Sequence, residues 1–248
     1  MGDRGVFIVL EGADGVAKST QAGRLSARLM SRGYDVIATA EPTQRPIGKL
    51  VRQGLGNGHA FDRETMALLF AADRRDHVAR EIRPTLDCGA VVVCDRYDLS
   101  NVVYRAAEQP VVRCTACGWE GDEAPWVEEP IGKTRRQRCP NCDGATRLSF
   151  PRYDAIGWAR ALSRGLPRPD LTIVLDMPID VAVARLAARG GKPETYDDPS
   201  LQRRVLELYR HAAELIPDER VALLDGEGTE LDVASRVWDA VLAAEVLP

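Results

Sequence analysis

No apolar run in the 248 residues approaches the ~20 needed to cross a bilayer. The opening stretch MGDRGVFIVLEG is too short, and broken too early by Glu11, for a secretory leader, so a cytoplasmic protein is expected. A basic excess is also missing. Lys and Arg number 33 against 37 Asp and Glu, a formal charge of −4, which excludes a protein that coats polyanions by general charge. Any phosphate recognition must therefore be local, through a few placed cations or backbone amides. Internal repeats and low-complexity tracts are absent. With 45% hydrophobic and 28% charged residues the chain cannot be disordered throughout, and its length suits one α/β domain with room for an insertion. Cysteines are few and grouped. Four of the six stand as Cys114-x-x-Cys117 and Cys139-x-x-Cys142, which argues for a metal in a reducing compartment rather than a disulfide framework.

What is present alternates. Val6 to Leu10 is an apolar run of strand length, followed by a glycine-containing loop and a helical pattern with Ala22, Leu25 and Leu29 on one face up to Gly33. Tyr34 to Thr39 reads as a second strand, Phe61 to Leu86 as one or two helices, and Val91 to Cys94 as a strand buried on both faces. Leu171 to Leu175 repeats that pattern, and Pro178 opens a helix carrying Val181, Ala184, Leu186 and Ala187. A further helix spaces Val205, Leu208, Tyr209, Ala212 and Leu215; Val221 to Leu224 is a last strand before a helix from about Glu230 to Leu242. This order predicts a mainly parallel sheet wrapped on both faces. The pattern fails from residue 108 to 150, which turns to Cys, Pro, Gly and charge; residues 1–107 and 151–248 form one domain around this insertion.

The loop after the first strand, Gly12-Ala13-Asp14-Gly15-Val16-Ala17-Lys18-Ser19-Thr20, follows G-x-x-x-x-G-K-[ST] except that Ala17 stands where the second glycine belongs. In such a loop backbone amides cradle a β-phosphate, the lysine bridges phosphate oxygens and the hydroxyl ligates Mg²⁺. Ala17 costs roughly 1 kcal/mol if its φ is positive. Phe70 and Arg74, four apart on a predicted helix, project from one face, where a ring could stack on a base and a guanidinium donate to its carbonyl. Asp95-Arg96-Tyr97 emerges at the carboxyl end of a strand, where open parallel sheets bind ligands; an aspartate there can hold magnesium and an arginine can clamp phosphate. Pro42 holds Glu41 extended at the end of the second strand.

These segments, with Glu41-Pro42-Thr43, Phe70-Ala71-Ala72-Asp73-Arg74 and Pro169-Asp170-Leu171, come in the order and at the separations of thymidylate kinases, which the chain resembles outside its Cys-rich insertion. The resemblance implies a P-loop NTPase three-layer sandwich with a mainly parallel five-stranded sheet, and transfer of the ATP γ-phosphoryl to a thymidine monophosphate. It implies catalytic roles for Lys18, Asp14, Arg96 and Asp95; Arg189, four residues after Arg185 on a helix leading into Gly190-Gly191, is expected to join them as a lid cation. ATP would be bound by residues 12 to 20 with Arg185, and Mg²⁺ by Ser19 and Asp95. The acceptor would lie among Glu41, Pro42, Phe70, Arg74, Arg96, Tyr97, Ser100, Tyr104 and Arg105. Arg105 follows Tyr104 where the family often has a base-reading glutamine, so another or modified pyrimidine nucleotide stays open as acceptor. The family's lid arginine is also absent from Glu194-Thr195-Tyr196-Asp197, leaving Arg185, Arg189 or Lys192 to serve.

Two C-x-x-C knuckles separated by 21 residues, each followed by a Gly-containing turn, fit a tetrahedral Cys₄ zinc ribbon with a structural Zn²⁺. Two disulfides or iron are the alternatives. Arg135, Arg136, Arg138, Trp119 and Trp126 could touch nucleic acid, but Glu120, Asp122, Glu123, Glu128 and Glu129 offset them, so nucleic acid is not expected as a partner; a homodimer is. A rival of another class is a kinase-derived binding protein with little turnover, against which Lys18, Ser19, Asp95 and Arg96 speak.

Overall fold

The computed structural model describes residues 4–56, 61–107, 111–117, 119–121, 126–128, 135–149, 155–189, 196 and 198–247. The chain begins with strand β1 (Phe7–Glu11), helix α1 (Lys18–Ser31), β2 (Val36–Ala40), α2 (Pro46–Gly56) and α3 (Arg63–His77). A π-helical turn, Val78–Ile82, leads into α4 (Arg83–Asp87), β3 (Val91–Asp95) and α5 (Asp98–Ala107). The insertion holds β4 (Val111–Cys114), β5 (Glu120–Gly121), β6 (Trp126–Glu128), β7 (Arg135–Gln137) and β8 (Thr146–Ser149). Then come α6 (Ala155–Leu162), β9 (Leu171–Asp176), α7 (Ile179–Arg189), α8 (Pro199–Arg210), α9 (Ala212–Leu215), β10 (Val221–Asp225) and α10 (Glu230–Ala243).

The main sheet has the order β10-β9-β1-β3-β2, and every pair in it is parallel. The predicted five-stranded sheet is thus observed. Its central strands are mainly apolar because both faces are covered, with Glu11 and Thr172 as buried polar exceptions. Ile8, Leu10, Val91 and Val93 face the layer built by α1, α5, α8 and α10, where Leu25, Leu29, Val103, Val205, Val237 and Trp238 are buried. Phe7, Val9, Val92 and Cys94 face the other layer against Val78, Ile82, Leu86 and Tyr97. One strand's alternation thereby feeds two cores, giving the three-layer sandwich.

Several boundaries differ from the sequence reading. The Phe61 to Leu86 pattern is split by the π-helical turn, and the Val205 to Leu215 pattern is broken between Arg210 and Ala212. Helices α2 and α6 are additional. In the insertion, β4 pairs antiparallel with β5 and β8, and β6 with β7, so the region has a sheet system of its own. Among the described residues, no helix is long and apolar enough to cross a membrane.

Candidate active site

The turn between β1 and α1 is shaped by two glycines. A Cβ on Gly12, whose φ is 140°, would stand 2.6 Å from the Leu175 carbonyl oxygen; one on Gly15, at φ 87°, would stand 2.5 Å from that of Ala182. Ala17 caps α1 at φ 66°, so the left-handed condition raised by its sequence is met by an alanine. Lys18 is buried and its Nζ donates to the Ala13 carbonyl at 2.6 Å. Burial, helped by the nearby Arg96, pulls its ammonium down to about pH 8 in pKa. Val16 is wholly buried, so it offers the loop its backbone only. Arg185 of α7 lines the same cleft as Asp14, Gly15, Ala17, Lys18, Ser19 and Thr20. Arg189 closes α7, but its side chain and all of Lys192, Glu194, Thr195 and Asp197 lie outside the described residues.

β3 delivers Asp95 beside this loop. Ser19 Oγ donates to Asp95 Oδ2 at 2.5 Å, while Asp95 Oδ1 is buried without a hydrogen-bond partner among the described residues. A hydroxyl and a half-satisfied carboxylate at the mouth of a phosphate loop fit a divalent, oxygen-loving cation.

Arg96, next along, sits at φ 69° and turns back to the loop: its Nη2 donates to Asp14 Oδ1 at 2.5 Å and its Nη1 to Ser100 Oγ at 3.1 Å. Burial alone would raise the Asp14 carboxyl, but Arg96 and Lys18 outweigh it and hold it well below the usual carboxylate range. Tyr104 adds a hydroxyl to Asp14 at 3.1 Å.

Beyond Arg96 opens a cavity. It gathers the acceptor residues expected from sequence: Glu41, Phe70, Arg74, Arg96, Tyr97, Ser100, Tyr104 and Arg105. Pro42 lies instead in the adjoining groove with Ser19 and Asp95. The Glu41 carboxylate does not reach for a ligand. It accepts from Arg74 Nε at 2.9 Å, and His77 Nδ1 lies 3.1 Å from its other oxygen. Glu41 therefore anchors Arg74, whose Nη2 donates to the Tyr97 carbonyl at 2.9 Å and whose Nη1 is buried with no partner among the described residues. Thr43 is tied to the same helix, its amide and hydroxyl donating to the Asp73 carboxylate at 2.7 and 2.6 Å.

Sequence reasoning missed three members. Asn101 lines the cavity with a buried Nδ2 that has no partner among the described residues, and Tyr196 lines it opposite, its ring 5.2 Å from that of Tyr104. Glu11, wholly buried, accepts from the Tyr97 and Ser100 amides and from the Ser100 and Tyr209 hydroxyls. Burial pushes its carboxyl up in pKa. The spacing that exposes Asn101 was available, because it lies four residues before Arg105 on one face of α5.

The Thymidylate kinase family model matches residues 10–117. A probable thymidylate kinase of Pyrococcus horikoshii is 33% identical over 246 residues, covering 96% of this chain and 98% of that protein. The chain belongs to the thymidylate kinase family. As a thymidylate kinase relative it is a nucleoside monophosphate kinase, and the thymidylate kinase of Thermomicrobium roseum is similar to the same extent, 34% identical over 95% of this chain and 93% of that one. A solved thymidylate kinase structure from Candida albicans has the same fold, with a TM-score of 0.68 at 23% identity over 100% of this chain and 97% of its own.

The four cysteines of the insertion line none of these clefts. Their sulfurs are all within 4.8 Å of one another, with Cys114 and Cys142 at 3.5 Å and Cys117 and Cys139 at 3.6 Å. A tetrahedron of about 2.3 Å zinc–sulfur bonds needs edges of about 3.8 Å. The amides of Ala116 and Cys117 point at Cys114 Sγ and that of Asn141 at Cys139 Sγ, the donor pattern of a thiolate knuckle. The Cys117 amide above all draws the Cys114 thiol down to about 6.

Proposed function

We propose that this enzyme transfers the ATP γ-phosphoryl group to dTMP, giving dTDP, with the donor on the loop at residues 12 to 20 and the acceptor in the cavity beyond Arg96. The observation that carries the reading is Arg96 itself. It lines the acceptor cavity while bonding Asp14 inside the phosphate loop, so the two sites share one guanidinium. Phosphoryl transfer asks chiefly for positioning and charge neutralisation, and this arrangement supplies both. Lys18 and Arg185 face the donor phosphates, and Arg96 holds the acceptor phosphate. Phe70 stacks on the base, while Arg74 Nη1 and Asn101 donate to it. Arg189 adds a cation from the end of α7. Mg²⁺ would be held by Ser19 and Asp95 and would supply neutralisation of the phosphate oxygens. Glu41, Tyr97, Ser100 and Tyr104 fix the cavity wall.

A second reading widens the acceptor to another or modified pyrimidine monophosphate, favoured by Arg105 in that wall. An ADP-release assay across pyrimidine and purine monophosphates tests both: dTMP is expected to give the highest kcat/KM, and a flat or shifted profile moves the assignment to the second reading. Residues 108–150 act as a zinc-ribbon subdomain holding one structural Zn²⁺ on Cys114, Cys117, Cys139 and Cys142, and residues 1–107 with 151–248 form the kinase domain. The geometry of four reduced thiols supports this, and with it a reducing, cytoplasmic setting. Family resemblance supports a homodimer, to be checked by light scattering.

A further inference from the structure

The insertion leaves the kinase domain from the end of α5 and returns at the start of α6, two helices that pack on each other. α5 is also the helix that presents Ser100, Asn101, Tyr104 and Arg105 to the acceptor cavity. Its last turn is pinned from two sides. Arg204 of α8 donates to the Ala107 carbonyl at 2.9 Å, and the Arg105 guanidinium lies 5.4 Å from the ring centroid of Trp158 on α6. Trp158 does not line the cavity; it backs the residue that does. The strands that follow α5 and precede α6 are β4 and β8, paired from Val111 opposite Ser149 to Cys114 opposite Thr146. The metal-site cysteines stand at the far end of that pair. β5 adds only two residues to the other edge of β4, and a sheet this small is marginal alone, so a metal at its tip would decide whether its base stays closed.

We propose that the zinc ribbon is a clamp on the acceptor cavity: it holds the base of α6 to the last turn of α5, keeps Trp158 against Arg105, and so sets affinity for the nucleoside monophosphate without touching it. The inference rests on the assignment of the four cysteines to zinc and of the cavity to the acceptor. Trp158 is thus a positioning residue.

The test uses the zinc-loaded enzyme, with steady-state kinetics in dTMP and in ATP and elemental analysis of every sample. Trp158→Leu is expected to raise KM for dTMP about tenfold while KM for ATP and kcat stay within about twofold. Trp158→Phe, which keeps a ring, should fall between. Stripping zinc from the wild type with a chelator should raise KM for dTMP similarly, and should add less than about twofold in Trp158→Leu, where the route is already cut. Unchanged KM for dTMP in Trp158→Leu overturns the proposal. So do multiplying effects of zinc removal and substitution, or a stripped enzyme that loses ATP affinity and kcat in step, which would make the ribbon a support of the whole fold. No turnover of dTMP by the wild type, or no zinc in it, fails the underlying assignments instead, and each is read directly from the untreated sample.

Discussion

Lys18 is an ammonium in a nearly dry site, where burial and the Arg96 guanidinium oppose its charge and the carboxylates of Asp14, Asp95 and Glu11 favour it. With its pKa drawn down to about 8, the free enzyme carries the charge below that pH and loses it above. ATP needs the protonated form, so kcat/KM for ATP should fall on the alkaline side with an apparent pKa near 8. In Lys18→Arg, whose guanidinium stays charged, the residual activity should lack that limb; an unchanged profile would assign the titration to another group. Ala17 makes a second prediction. At φ 66° it holds a conformation that costs an L-residue about 1 kcal/mol, so Ala17→Gly should raise stability by that much or less in a thermal melt and, with the methyl gone, leave ATP binding equal or tighter in calorimetry. Weaker binding would show that the methyl group is adapted to this loop.

Among the elements, α10 is secured by a reciprocal cap: Thr229 Oγ1 accepts from the Asp232 amide at 3.2 Å, and Asp232 Oδ2 accepts from the Thr229 amide at 2.9 Å. The helix lays Val233, Val237, Trp238 and Val241 into the core. Thr229→Ala should cost about 1 kcal/mol and lower Tm by roughly 2–4 °C in a thermal melt, with activity kept. The strands read most plainly from sequence were β1, β3 and β9, whose apolar runs reflect cover on both faces, while β2, β10, α1 and α10 were legible from shorter runs or helical spacing. α2 could not be read, because its glycines look like breakers. Two of the three are contacts instead: a Cβ on Gly48 would meet the Thr43 carbonyl, and one on Gly54 would meet Met66 and Phe61. Tertiary packing, absent from any local pattern, makes that helix. The site divides in the same way. Phe70 and Arg74 were legible because i,i+4 spacing puts them on one face. The Glu41–Arg74–His77 cluster was not, because α3 meets the end of β2 only after folding.

For the molecule as a whole, the ribbon and the kinase sheet draw on different sources of order. The sheet has two buried cores, whereas the insertion gathers four cysteines around one point. Cys139→Ser should therefore abolish stoichiometric zinc, expose residues of about 111–149 to protease and leave the sheet folded, with limited proteolysis and mass spectrometry as the measurement. Zinc retained in that variant, or protection unchanged, would place the metal elsewhere. The strand order has a consequence for synthesis. β1 is made first yet ends in the middle, between β3 and β9, and β9 lies some 80 residues beyond β3 in the chain. At roughly 5–20 residues per second, the ribosome leaves one edge of β1 unpaired for about 4–16 s after β3 emerges. That edge belongs to a mainly apolar strand and is open to pairing with a neighbouring nascent chain. The ribbon is made during this interval, so the delay before β1 is sealed on both sides grows with its length.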